Sequence, residues 1–244
     1  MYKLEESKNL GRKIRRDDLK DIGVPSWTLL EDFIKAGKKE EALELINYMF
    51  NHEVKFMHDL YTDWTWGLLT YIADNFGEEH VPKAMNAVAM LNPLHSKSAP
   101  SDKENSTLEL VQRMAEANRA HCARPGHVTV TEEPDRYILT LDPCGSGGRM
   151  RQTGRTEPPY NFGVTKKAYP WSWSRQGVSY YCAHCALWTG IGGIERQGFP
   201  VRVHEYPEKA GDPCRIIFYK DPERIPEKHF TELGKKKDIS KYKR

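Results

Sequence analysis

The chain has no strong excess of charge of either sign, no long apolar run and few cysteines. Each shortage closes off a class of function. The net charge is only +3 over 244 residues, so no polyelectrolyte signal for nucleic acid exists and no such partner is expected. No apolar run approaches the ~20 residues of a membrane span, so no membrane partner is expected either. The opening residues Met1-Tyr2-Lys3-Leu4-Glu5-Glu6 carry no apolar core of the signal-peptide type. The expected localisation is cytoplasmic. Thiols stay reduced there, so the chain's 5 cysteines, where clustered, read as metal ligands or reactive groups rather than disulfides.

What is present reads as a globular protein. Hydrophobic residues make up 39% and charged residues 29%, the ordinary balance for a packed domain. Aromatics at 11% favour a packed interior or an aromatic pocket over disorder. The length suits one large domain, or a helical and a mixed part sharing one core.

Residues 1–24 are charged and weakly patterned, with Arg12, Lys13, Arg15 and Arg16 answered by Asp17, Asp18 and Asp21. They read as a solvated arm or short helix. Pro25-Ser26 opens the first helix, with Ser26 as N-cap, and Gly37 stops it. A second helix runs from about Lys39 to about Phe76, with a kink or break expected near Asn51 or Gly67. His52, Phe56, Asp59 and Asp63 share one face of it. That face reads either as an ion-paired surface or as a metal-binding or proton-moving group, and it fits no standard helical metal motif. A short helix from Glu78 to about Leu91, a loop over 92–106 and a helix from Ser106 or Thr107 to about Arg119 follow.

The texture changes near residue 120. His127–Thr131 and Arg136–Leu141 alternate like two strands of a hairpin around Glu133-Pro134-Asp135. The hairpin delivers Asp142-Pro143-Cys144 to its end. Gly145-Ser146-Gly147-Gly148-Arg149 then reads as a turn whose free backbone N–H groups can cradle an anion. It lacks the lysine and flanking pattern of a P-loop. Residues 150–170 read as a long loop covering the site or a mobile lid, with Trp171 and Trp173 closing one wall. A helix is expected from Val178 to about Ile194, then strands over 199–205 and 214–219, then a solvated basic tail.

Four cysteines fall in three short motifs: Asp142-Pro143-Cys144, Cys182-Ala183-His184-Cys185 and Asp212-Pro213-Cys214. Three chemistries fit. Cys144, Cys182, Cys185 and Cys214 can supply four thiolates to zinc or another transition metal, with His184, His204, His121 and His127 as substitutes. With one position left to water, such a metal would generate a hydrolytic nucleophile. Alternatively Cys144 is a metal-free nucleophile, its thiolate favoured by the Gly-rich turn and Arg149, with His184 as base. Thioredoxin-like redox chemistry at Cys182 and Cys185 is disfavoured because no βαβ pattern precedes them. The bland alternative is that the cysteines are small buried hydrophobes at strand ends.

The segment Gly211-Asp212-Pro213-Cys214-Arg215-Ile216-Ile217-Phe218, after a helical approach, a short hairpin and a helix, gives the C-terminal half a family likeness. Over residues 120–220 it resembles the α/β ligand-binding domains of the 4-vinyl reductase-like group. These are akin to the aminothiazoline-carboxylate hydrolases and to transport-complex subunits of similar shape. The resemblance implies a small-molecule pocket between helices and an antiparallel sheet, and assigns no catalytic residue. The Gly145–Gly148 turn and Cys182-Ala183-His184-Cys185 are not features of that group.

The expected fold is α+β: a helical region over 1–120 packed on a small antiparallel sheet of about four strands in 121–244, folding as one cooperative unit. The expected function is a small-molecule hydrolase or lyase using a thiolate-bound metal or a reactive cysteine. The alternative is a small-molecule sensor or binding protein with structural zinc. The sequence leaves the substrate and the oligomeric state open.

Overall fold

The structure is a computed structural model that describes residues 3–91, 107–121 and 127–242. The loop expected over 92–106, the turn at Pro125-Gly126 and the fifth cysteine, Cys122, lie outside the described residues. The fold is α+β, with helices through the N-terminal half and small antiparallel sheets. Two compact units make up the chain, Met1–Leu60 and Tyr61–Arg244.

In the first unit the charged N-terminal segment is not an arm. Lys3–Ser7 (β1) and Arg12–Arg16 (β2) pair as an antiparallel hairpin. The sequence hid this because its strands alternate charge with charge rather than charge with apolar residues. The expected N-cap also changes role. Helix Ser26–Lys35 (α1) begins behind Pro25, and the Ser26 hydroxyl serves tertiary contacts instead. Ser26 accepts from Arg15 Nη1 at 2.7 Å and donates to Glu53 at 2.7 Å. Arg15 also holds Asp17 at 2.8 Å and donates to the Val24 carbonyl. Charge drawn from a basic cluster is thus spent inside the unit.

The expected long helix is Lys39–Tyr48 (α2) running through a π-helical stretch, Met49–Val54, into Lys55–Phe76 (α3). The irregularity falls around Asn51. A π stretch adds a residue to the turn and rotates the apolar face that follows it. Leu43, Ile46, Phe56, Leu60, Trp64 and Leu68, which share the sequence's apolar period, are exposed. The buried positions of α3 are Thr62, Trp66, Leu69 and Ala73.

The second unit has two cores that bear on the site. Trp66, Leu69 and Ala73 meet Val81 and Met85 of helix Val81–Leu91 (α4), together with Met150, Trp171, Tyr180, Ala183 and Leu187. The other core surrounds the sheet, whose strands are Val128–Glu133 (β3), Arg136–Leu141 (β4), Val203–Glu205 (β5) and Cys214–Tyr219 (β6). They lie in the order β3-β4-β6-β5, all antiparallel. Leu139, Leu141, Ile216 and Phe218 face Val111 and Ala115 of helix Thr107–Arg119 (α5). Ile138, Ile217 and Tyr219 face the other way, onto Val203, Ile225 and Phe230. Covering both faces explains the unbroken apolar run Ile216-Ile217-Phe218, which one wet face would have interrupted.

The stretch after residue 150 is ordered: Trp171 and Trp173 are buried, and isolated bridges tie Val164 to Ser179 and Tyr169 to Arg175. One further expectation is corrected. The basic tail is not simply solvated. Lys237 Nζ donates to the carbonyls of Glu223 and Ile225 at 2.6 and 2.8 Å, and Tyr242 packs on Phe199.

Candidate functional site

The three cysteine motifs converge because β4 and β6 are neighbours. Leu141 of β4 sits opposite Cys214, the first residue of β6. Three residues beyond Leu141 the chain reaches Cys144, just before the short helix Gly147–Gln152 (α6). The third motif arrives from the Tyr180–Cys182 turn, which leads into a π-helical stretch, Cys185–Ile191, and helix Gly192–Gln197 (α7). The expected regular helix over Val178–Ile194 is replaced by this turn and π stretch, so Cys182 precedes the helix rather than sharing a face with Cys185.

Close packing locks the motifs together. A side chain on Gly147 would collide with the Cys182 sulfur, and one on Gly148 would come within 2.9 Å of Cys144 Cβ. The Ser146 and Tyr181 hydroxyls hydrogen-bond at 2.8 Å, and Ser179 Oγ accepts from the Cys182 amide at 3.1 Å. A buried strut fixes the approach to the motif. Glu78 accepts from Tyr180 Oη at 2.9 Å, Tyr169 Oη at 2.9 Å and the Lys166 amide at 2.7 Å.

Cys144 bears electrostatically on the other three thiols. Their environments differ sharply. The Cys214 side chain and the backbone N–H groups of Gly148 and Ser146 favour the charged form of Cys144. Together they hold Cys144 well below the ordinary thiol range, against its burial. Cys214 is pushed up by Cys144 and by burial. Burial pushes Cys182 and Cys185 up to about 12.

The histidine hydrogen bonds define their tautomers. His184 Nδ1 lies 2.6 Å from the Tyr181 carbonyl, which can only accept, so Nδ1 carries the proton. Burial lowers the His184 pKa and favours the neutral ring. Its Nε2 lone pair faces Cys185 Sγ at 3.4 Å and accepts from that thiol. His184 therefore sits within electrostatic range of Cys144, but its free nitrogen addresses Cys185. Thr189 donates its one proton to the Cys185 carbonyl at 2.7 Å, so His204 Nδ1 donates to Thr189 Oγ1 at 3.2 Å. His204, also buried, titrates well below the usual range. Of the other candidates, His127 lends its carbonyl to Asp142, and the His121 carbonyl packs against Gly145.

Arg149 folds back so that its Nε donates to the Gly145 carbonyl at 3.0 Å. Among the described residues, no group of three or more His, Cys, Asp or Glu is arranged to hold a metal ion. The helical face named from the sequence is occupied too. Asp63 takes a two-pronged ion pair from Arg155 at 2.9 and 3.1 Å, His52 stacks on Tyr48, and Asp59 pairs with His58.

No family model matches the chain, and no curated protein or solved structure matches it either. The residues themselves must carry the functional reading.

Two arginines escaped the sequence reading. Arg151 stacks over the Tyr206 ring at 4.6 Å with its Nη1 buried and unpartnered, and it bears on Cys182. Arg202 has a buried, unpartnered Nε and lies near Cys185 and His184. It lines a cavity of about 10 Å³ with His204 and Cys185, room for about one water. The readable signal was a charge between valines in Val201-Arg202-Val203. An arginine whose Nε is buried beside the start of β5 serves something other than solubility.

Proposed function

We propose that this chain is a small-molecule enzyme of the hydrolase or lyase type, working through the free thiol of Cys144. One feature carries the reading: at a turn so tight that a side chain on Gly148 would come within 2.9 Å of Cys144 Cβ, the Cys214 side chain and the backbone N–H groups of Gly148 and Ser146 lower the Cys144 thiol pKa to about 6. A lowered thiol pKa favours the thiolate, the form that attacks electrophilic carbon. The same donors are absent from Cys182 and Cys185, whose burial favours the thiol.

In an acyl transfer, the Cys144 sulfur forms a C–S bond to the carbonyl carbon and the π pair moves to oxygen. Collapse expels the leaving group, which takes the Cys214 proton. Water then cleaves the thioester and returns a proton to the pair. Arg151 and Arg202, with no carboxylate paired to them among the described residues, make the surroundings favourable to developing negative charge.

The test uses p-nitrophenyl acetate as a general acyl probe. The full chain releases a burst of about one nitrophenolate per protein, with the acetyl group on Cys144, as covalent catalysis requires. Cys144→Ser loses the burst and Cys182→Ser keeps it. No burst, or an acetyl group on another residue, overturns the reading.

A further inference from the structure

Helix α3 is apolar on two faces, and among the described residues the chain covers one of them. Over its stretch in the larger unit, residues 61–76, Thr62, Trp66, Leu69 and Ala73 are buried. Tyr61, Trp64, Leu68 and Tyr71 are instead 68%, 70%, 54% and 59% exposed. Phe76, whose ring meets that of Tyr71 edge-on, is 60% exposed. The 3-4-3 spacing of Tyr61, Trp64, Leu68 and Tyr71 gathers them in one stripe, the seam that one helix offers another in a coiled coil. The helical turn sets this stripe across α3 from the buried positions. A helix that is apolar on both sides is one that packs on both sides.

We propose that this stripe is the interface of a homodimer, in which α3 of one copy lies antiparallel against α3 of a second. The positions of the seam are symmetric about Trp66: Tyr61 and Tyr71 stand five residues to either side, and Trp64 and Leu68 two. Turning one helix end for end therefore sets Tyr61 against the second copy's Tyr71, and Trp64 against its Leu68. Each pairing occurs twice, as a two-fold axis requires.

The area suits a second copy. A fully exposed aromatic side chain offers about 200 Å², so the five residues at their exposures present about 600 Å². That lies at the top of the range of about 300–600 Å² for the largest apolar patch of a monomer. Two such patches face to face remove about 1,200 Å² from water, the size at which stable specific interfaces begin. Aromatic side chains are also the ones that interfaces concentrate. Charge does not oppose the pairing. Residues 61–76 hold two charged side chains, Asp63 and Asp74, and these are paired to Arg155 and Lys166 at 2.9 and 3.0 Å. Thr65 Oγ1 and Asn75 Nδ2 each turn a donor onto the helix's own backbone, at the Tyr61 and Tyr71 carbonyls, both at 2.9 Å. The stripe can therefore dry without burying an unpaired charge.

The test is sedimentation velocity of the full chain across about 1–100 μM, the range in which an interface of this size associates. The mass is expected to rise with concentration to twice the 28.2 kDa of one chain. Trp64→Glu and Leu68→Lys, both at exposed positions, are expected to keep the circular dichroism of the unmodified chain and to stay monomeric. Mixed in equal amounts they are expected to recover dimer, because the antiparallel register brings the two introduced charges of opposite sign together. A monomer throughout the range overturns the proposal whatever the variants do, and so does a dimer that both variants retain. A mixture of the two variants that stays monomeric overturns the antiparallel pairing. If the monomer sediments with phosphatidylcholine vesicles and Trp64→Glu does not, the stripe is a face for a bilayer surface and the dimer is overturned.

Discussion

At the scale of single residues, the site depends on glycines that give way to sulfur. Gly147 opens α6, where alanine would ordinarily be favoured by up to ~1 kcal/mol. Here the added methyl would strike the Cys182 sulfur, and overpacking of a tight interior costs about 1–3 kcal/mol. The collision therefore outweighs the helix propensity. Gly147→Ala is expected to lower unfolding stability by denaturant titration, by about 1–2 kcal/mol. A neutral or stabilising result would mean that the turn does not press on Cys182. The Gly-rich turn was legible in the sequence as a support for the Cys144 thiolate, and the backbone N–H groups of Ser146 and Gly148 lower that thiol's pKa, while Arg149 turns back to Gly145. Such partnerships depend on which way a side chain turns, and residue order does not record that.

At the scale of elements, the sheet was legible and its supports were not. The strands around Glu133-Pro134-Asp135 and the run beginning at Cys214 announced themselves by β-branched and aromatic content, and all four strands pair antiparallel. The β1–β2 hairpin was missed because charged residues fill both faces. The π stretch of Met49–Val54 shifted the buried face of α3, a phase change that periodicity counting runs straight through. Glu78 was missed for a different reason. One acid beside Glu79 looks like a solvated helix start, yet it receives two tyrosine hydroxyls and a backbone amide more than 80 residues away in sequence. Glu78→Ala would leave those donors buried without an acceptor, at about 1–3 kcal/mol for each one stranded. A loss of several kcal/mol is expected for Glu78→Ala by denaturant titration, and a smaller one for Glu78→Gln, which keeps an acceptor. Equal losses from both variants would show that the network is not what anchors Tyr180.

At the scale of the whole molecule, the change of texture near residue 120 marks where helices give way to strands. The division into compact units falls elsewhere, at Leu60 and Tyr61 within α3. A helix that belongs to two units keeps one unbroken pattern, so composition gave no sign of the division. The larger unit gathers Cys144, Cys182, Cys185 and Cys214 from three motifs and gives each a different environment. That differentiation is the central claim, and labelling the intact chain tests it most directly. Native protein, assayed for bound metal, is treated with limiting iodoacetamide across a pH series, and each cysteine is quantified by peptide mapping. The account predicts that Cys144 labels first and reaches half its maximal rate well below the ordinary thiol value of about 8.5. The sign follows from the thiolate being the reactive form, so its labelling is lost only as pH falls through the lowered pKa. Cys182 and Cys185, pushed up to about 12 by burial, stay unlabelled at neutral pH. A Cys144 that resists labelling at neutral pH, with about one metal ion per chain released when the protein unfolds, would contradict the account.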